Sequence, residues 1–155
     1  MKKPRILVTS VYDAVKYVMK HIQYEYAKKT DTYAVISIQD TAGFGIEFRE
    51  SSYCKGVLTL YFDDIEEPCP GYQLINAAQA EQVIHFIKEH LDVDTLLIHC
   101  YAGVSRSRAV GVWASELLGI PFSTDGTFNE YVYSLLKDTA KEIEANEESS
   151  TIISE

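Results

Sequence analysis

The residues whose types and spacing can do chemistry lie together between His99 and Ser107, in the stretch HCYAGVSRS. Cys100 supplies a thiol, and a thiolate is a good nucleophile. Arg106 follows after five intervening residues, and its planar guanidinium can hold two oxygens of a tetrahedral oxyanion at once. Between them Tyr101, Ala102, Gly103, Val104 and Ser105 form a tight loop, in which Gly103 supplies the backbone freedom that a sharp curl needs. Ser107 can donate a hydrogen bond to the sulfur, and His99 can fix the loop by bonding to backbone. These residues need a strand and a helix to position them. Thr95–His99 is a short apolar run of the kind buried on both faces of a parallel sheet. From about Ser105 the chain reads as a helix with Ala109, Val112, Trp113 and Leu117 on its apolar face. A strand feeding a helix through a short loop leaves backbone N–H groups unpartnered. Converging, they form a nest for a phosphate-sized anion, aided by the positive helix end. In that field the thiol pKa is depressed.

His-Cys, five residues, then Arg-Ser resembles the signature loop of the cysteine-dependent protein tyrosine phosphatases. The Ala-Gly and Ser-Arg-Ser elements resemble their compact dual-specificity branch, with its small bacterial and phage relatives. The resemblance implies a phosphomonoester hydrolase working through a phosphocysteine intermediate. Cys100 attacks phosphorus, while Arg106 and the loop N–H groups hold the equatorial oxygens. Ser107 eases departure of the thiolate in the second step. The leaving oxygen needs a proton donor, which then serves as base for water. In this family the acid lies on a loop a few tens of residues before the nucleophile, and FDDIEEP stands there. By the resemblance Asp64 is the first choice and Asp63 the second, with Glu66 and Glu67 outside. The implied pH–rate profile is a bell, with the thiolate on its acidic limb and the carboxylic acid on its basic limb. The chemistry needs no metal or other cofactor. The expected partner is a phosphorylated protein or peptide, phosphotyrosine favoured, with phosphate and vanadate as binding anions.

Other readings compete. The same mechanism serves small phosphomonoesters such as nucleotide or sugar phosphates. A non-catalytic phosphate-binding module is a second alternative, although Cys100, Arg106 and an acid candidate are all present. A rhodanese-like or arsenate-reductase-like enzyme also places a cysteine under an anion loop, but without these His-Cys and Arg-Ser flanks. Gly103–Ser107 echoes the hydrolase elbow G-x-S-x-G, yet its last position is serine. The nucleotide-loop ending G-K-[ST] is absent from this stretch. Cys54 reads as a small core hydrophobe. Cys69, between two prolines, reads as an inert loop residue or, on oxidation, a disulfide partner for Cys100. His21, His85 and His90 read as surface or helix-edge residues, and most of the eleven tyrosines as packing and surface.

The 155 residues suit one domain, expected over 1–146, with 147–155 an acidic tail expected to fray. Three cysteines without CxxC or zinc spacing favour a reducing, cytoplasmic setting. No run approaches a membrane span of about 20 apolar residues, and no signal-peptide pattern opens the chain. The net charge of −9 disfavours nucleic acid. The remaining strand candidates are Arg5–Thr9, Tyr33–Ile38 and Lys55–Phe62. Helices are expected from Val11 to about Tyr26, capped by Ser10 and buried through Val11, Ala14, Val15, Val18 and Ile22, from Gln73 to His90 with Ala77, Ala80, Ile84 and Ile87 inward, and from Phe128 to about Ala145 with Tyr131, Leu135 and Leu136 inward. Gln39–Ser52 reads as a loop in which Phe44, Ile46 and Phe48 allow a short hairpin arm and which can wall the pocket. The alternation implies an α/β fold, a central mostly parallel sheet flanked by helices, with ligands at the carboxyl ends of the strands.

Overall fold

Four short apolar runs become strands, β1 (Arg5–Thr9), β2 (Tyr33–Gln39), β3 (Cys54–Tyr61) and β4 (Thr95–His99), of which β2 and β4 are buried on both faces. They form a four-stranded, all-parallel sheet in the order β1-β4-β2-β3. The computed structural model describes residues 2–23, 31–123 and 126–153. Parallel neighbours need crossovers. Helices α1 (Val11–Gln23) and α2 (Ala77–Glu89) connect β1 to β2 and β3 to β4, the 40–53 segment connects β2 to β3 without a helix, and α3 (Arg106–Leu118) and α4 (Glu130–Ile153) follow the last strand.

Side chains alternate along each strand, so the sheet has two cores. Ala34, Ile36, Ile38, Leu96 and Ile98 pack beneath α2, α3 and α4. Tyr33, Val35 and Leu97 face the other way, against Ala14 of α1 and against Phe48 and Tyr53. The helices that cover the first face are held by Val83, Ile84 and Ile87 of α2, Ala109, Val110 and Trp113 of α3, and Val132 and Leu136 of α4.

Several element ends differ from the sequence expectation, each for a local reason. The second helix starts at Ala77 rather than Gln73, because Asn76 and Gln79 close a reciprocal capping box. Ala77 is therefore exposed at its first turn. The last helix starts at Glu130, where the Asn129 side chain accepts from the Val132 N–H at 3.0 Å and Glu66 accepts from the Glu130 N–H at 2.7 Å. It also runs on to Ile153, through the segment expected to fray. Good helix formers such as Glu, Lys and Ala dominate this stretch. Ile22 and Leu117, each in the last turn of its helix, are exposed. Among the described residues the 39–52 segment forms no hairpin; Ile46 and Phe48 pack inward against the sheet. His21 is not a surface residue: its ring is nearly covered and meets Asp31 at 2.8 Å. Tyr24–Tyr26 lie outside the described residues. No described helix is long and apolar enough to cross a membrane.

Candidate active site

The carboxyl ends of β2, β3 and β4 deliver Asp40, Asp63–Asp64 and Cys100 to one edge of the sheet. Together with the start of α3 they enclose a cup of about 340 Å³. Its lining includes Asp40, Asp63, Asp64, Cys100, Ser105 and Arg106.

The loop that forms the floor is shaped by Gly103. Its φ is +78°, a left-handed value, and a Cβ there would lie 2.4 to 2.6 Å from the Thr9 and Ser10 backbone. The loop therefore presses directly on the end of β1, and the Val11 N–H donates to the Tyr101 carbonyl at 3.0 Å. So folded, the loop turns its donors toward the sulfur. The Gly103 N–H points at Cys100 Sγ at 3.3 Å, and Ser107 Oγ lies 3.0 Å from it. Burial alone would push the Cys100 thiol up. The Ser107 hydroxyl and N–H, the Gly103 N–H and the Arg106 charge together outweigh that and hold it below the ordinary thiol range.

Arg106 is 3 % exposed. Its Nη1 donates to the Phe62 carbonyl at 2.8 Å and pairs with Asp40 Oδ1 at 2.8 Å. Its Nε is buried and has no hydrogen-bond partner. Such an orphaned charged donor costs free energy unless something is there to accept from it. The end of α3 is also uncapped: Ser105 makes no side-chain cap bond and instead donates to Asp64 Oδ1 at 2.8 Å. The Ser105 side chain thus takes up none of the first N–H groups of the helix, of which the Ser107 N–H faces the Cys100 sulfur.

The two aspartates of FDDIEEP are built differently. Asp63 accepts from the Thr41 N–H at 3.1 Å, the Thr41 hydroxyl at 2.6 Å and the Gln73 N–H at 2.8 Å. Partial burial would raise its carboxyl, but the bonds from Thr41 and Gln73, with the Arg106 charge, hold it below the usual carboxylate range. Asp63 therefore clamps two loops together. Asp64 reaches into the cup, where Ser105 Oγ and Asn129 Nδ2 each donate to its Oδ1 at 2.8 Å. Glu66 lies away from the cup, as a cap on α4. Cys54 is buried, Cys69 is exposed in an adjoining groove with Glu66, Glu67 and Phe128, and all three cysteines are free.

Asp40 and Asn129 are members of the site that the sequence reading does not single out. Asp40 carries the same signal as Asp63, a carboxylate directly after an apolar strand. Asn129 carries the signal of a helix cap, which says nothing about its second bond, to Asp64. Aromatic rings surround the mouth. Tyr101 is 52 % exposed and meets Tyr12 and Phe44 edge-on, at 6.2 and 5.7 Å between centroids, while Tyr72 lines the cup. Among the described residues no cluster of His, Cys, Asp or Glu is arranged to hold a metal ion.

An all-parallel sheet with a cysteine loop at its carboxyl edge, running into a helix, is a tyrosine-phosphatase-like fold. In particular, the chain is similar to the crystal structure of the human tyrosine phosphatase-like serine/threonine/tyrosine-interacting protein, with 18% identity, a TM-score of 0.55 and coverage of 89% of this chain and 93% of that one. That protein is described as phosphatase-like, so the likeness shows the fold and leaves catalysis to the residues of the cup. No protein-family model and no curated protein sequence matches the chain.

Proposed function

We propose that this chain is a phosphomonoester hydrolase of the compact, dual-specificity-like kind, acting through a phosphocysteine. The observation that carries the reading is the buried, unpartnered Nε of Arg106 beside a thiol of lowered pKa. A bound phosphoryl group supplies the missing acceptor. Cys100 Sγ attacks phosphorus, the S–P bond forms and the ester P–O bond breaks. Arg106 and the α3 and loop N–H groups take the charge of the equatorial oxygens. Asp64 gives its proton to the leaving oxygen. Water then attacks phosphorus, Asp64 takes back a proton, and the sulfur leaves as a thiolate stabilised by Ser107. The exposed rings of Tyr12, Tyr72 and Tyr101, with the half-buried Phe44 beside Tyr101, support an aryl ester, phosphotyrosine on a protein or peptide, as the substrate. A low-pKa thiol fits a reducing compartment such as the cytoplasm.

The test is hydrolysis of an aryl phosphate by wild type, Cys100→Ser, Arg106→Lys and Asp64→Asn. The expected result is metal-independent turnover that Cys100→Ser abolishes, with Arg106→Lys slower by about 10²–10³-fold. Asp64→Asn should flatten the basic limb of the pH–rate profile. Folded protein that binds orthovanadate but does not turn over would overturn catalysis in favour of a binding module.

A further inference from the structure

Three fully buried polar side chains lie on the α1 side of the sheet and take part in no step above: Ser37, Gln39 and His99. Ser37 and His99 are register partners on β2 and β4, and Gln39 is two residues further along the same face. Their hydrogens can be placed from the chemistry of their neighbours. The Phe44 N–H can only donate, so the Gln39 atom it meets at 2.7 Å is the amide oxygen. The Gln39 amide nitrogen then donates to the Ile46 carbonyl at 3.0 Å and to Ser37 Oγ at 3.1 Å. At the far end the Cys100 carbonyl can only accept, so His99 Nδ1, at 2.9 Å, carries a hydrogen. Burial, with the Arg106 charge, holds His99 below its ordinary range against the pull of that bond, so the ring is neutral and Nε2 is a lone pair. The Ser37 hydroxyl, 2.6 Å away, must therefore donate to it. Apart from the bond to Ile46, which anchors the Gln39 amide, the bonds run one way, from the Phe44 N–H through Gln39, Ser37 and His99 to the carbonyl of the nucleophile.

We propose that Ser37 and Gln39 are positioning residues of the Cys100 loop, holding His99 in the Nδ1–H tautomer that pins the Cys100 carbonyl to the His99 ring. With the other tautomer a nitrogen lone pair would face the carbonyl oxygen, and the peptide would turn. A turned peptide spoils the nest, because a carbonyl oxygen in the cup repels an anion where an N–H attracts one. The same donor chain ties the loop to the segment that bears Asp40, the ion-pair partner of Arg106, and Phe44, which packs on Tyr101. The nucleophile, its arginine and its rim thus share one buried anchor. The effect on turnover rests on the hydrolase reading, but the tautomer and the thiol reactivity do not.

The first measurement is a long-range ¹H–¹⁵N correlation spectrum of His99 in the wild-type protein at neutral pH. A protonated Nδ1 and a bare Nε2 are expected; an Nε2–H tautomer or an imidazolium overturns the proposal without any variant. The second is Ser37→Ala, with Ser37→Thr as the conservative rescue. Ser37→Ala should mix the two tautomers and, at a pH below the thiol pKa, slow iodoacetamide alkylation of Cys100, about tenfold for each unit by which the thiol pKa rises. Ser37→Thr, which keeps the hydroxyl, should restore both. Gln39→Glu, isosteric but unable to donate toward Ser37, should act in the same direction as Ser37→Ala. An unchanged tautomer and an unchanged alkylation rate in a folded Ser37→Ala protein would refute the role. If Ser37→Ala does not fold, the wild-type spectrum and Gln39→Glu decide. Absence of turnover in a wild-type protein with the expected spectrum would sink the hydrolase and leave this inference standing.

Discussion

Replacing Gly103 by alanine puts one methyl group where the nucleophile loop meets the end of β1. Two costs add. The φ of +78° is left-handed, which costs an L-residue about 1–2 kcal/mol. The new Cβ also lies 2.4 Å from the Thr9 carbonyl carbon and 2.5 Å from the Ser10 nitrogen, whereas carbon contacts are comfortable at about 3.5–4.0 Å. Those neighbours cannot yield as a side chain would: Thr9 is held in register with His99 on β4, and the Ser10 side chain caps α1. The loop itself must retreat by about 1 Å. Overpacking of this kind costs about 1–3 kcal/mol, for a total of about 2–5 kcal/mol in stability. The Gly103 N–H moves off the Cys100 sulfur, and a misplacement of about 1 Å is worth about 10²-fold in rate. Gly45→Ala is the control, because Gly45 has a φ of +72° but no atom within 4 Å of its Cβ position. It should lose only the left-handed cost, about 1–2 kcal/mol, and keep its activity. Urea unfolding and kcat/KM on an aryl phosphate read both quantities. A Gly103→Ala protein with wild-type kcat/KM, or a Gly45→Ala protein that loses as much activity, would refute the assignment of Gly103 to the shape of the cup.

Ser107→Ala removes the strongest of the interactions that lower the Cys100 pKa; the acidic limb of kcat/KM should move to higher pH, and rapid-quench kinetics should show phosphocysteine accumulating as its breakdown slows. Asp63→Asn puts an amide N–H₂ against donors that now meet a carboxylate, Gln73 N–H among them; the expected loss is about 1–3 kcal/mol at neutral pH, read by urea unfolding. Because the folded Asp63 carboxyl is held down, its stabilisation is complete above its unfolded value of about 3.9 and is lost as pH falls through the lower folded value. The acid side of the stability–pH curve should therefore flatten in Asp63→Asn, and an unchanged curve would reject the clamp. Raising salt should leave kcat/KM for a small dianionic aryl phosphate level or slightly higher, since the chain carries a net charge of −9; a steep fall would indicate attraction by a positive field instead.

What could be read from the sequence was whatever depends on neighbours in the chain. Cys100, Gly103, Arg106 and Ser107 fall within one strand–loop–helix unit, so their spacing already carries their geometry. The strands announced themselves as apolar runs, and a mostly parallel sheet was expected from alternation with helices, although β2 and β3 pair in parallel with no described helix between them. What depends on sheet order was not legible. Asp40 meets Arg106 only because β2 lies beside β4, and nothing local distinguishes it from a solvated aspartate. Ser37 and Gln39 break an otherwise apolar strand, a visible signal, but their partner His99 is set by register. Both aspartates line the cup, and the bonds that distinguish Asp63 from Asp64 depend on side-chain direction at a strand end. There Asp63 is drawn back by Thr41 and Gln73, and Asp64 is turned in by Ser105 and Asn129. Helix ends moved for a related reason: apolar periodicity alone extends the second helix back to Gln73, while the Asn76–Gln79 cap stops it at Ala77.

An acidic chain that takes up an anion has to do so at short range. Asp40, Asp63 and Asp64 share the cup with Cys100, and Asp40 already pairs with Nη1 of Arg106, the guanidinium that a phosphate would use on the proposed reading. Opposing charges at such distances cancel much of the field that a phosphate would feel from afar, and what remains is screened within about 8 Å at physiological ionic strength. The holding power then rests on groups that act only in contact: the orphaned Nε of Arg106, the uncapped first turn of α3, and the N–H groups of a loop locked by Gly103. Fixed dipoles of this kind need no reorganisation when charge develops in the transition state. They also reward geometry over charge. A sulfate-like anion of the right shape gains every one of these contacts, while a carboxylate of equal charge lacks the third equatorial oxygen to accept them. On the proposed hydrolase reading, the acidic envelope would suppress adventitious anions at a distance, and the cup would select a tetrahedral one by its oxygens.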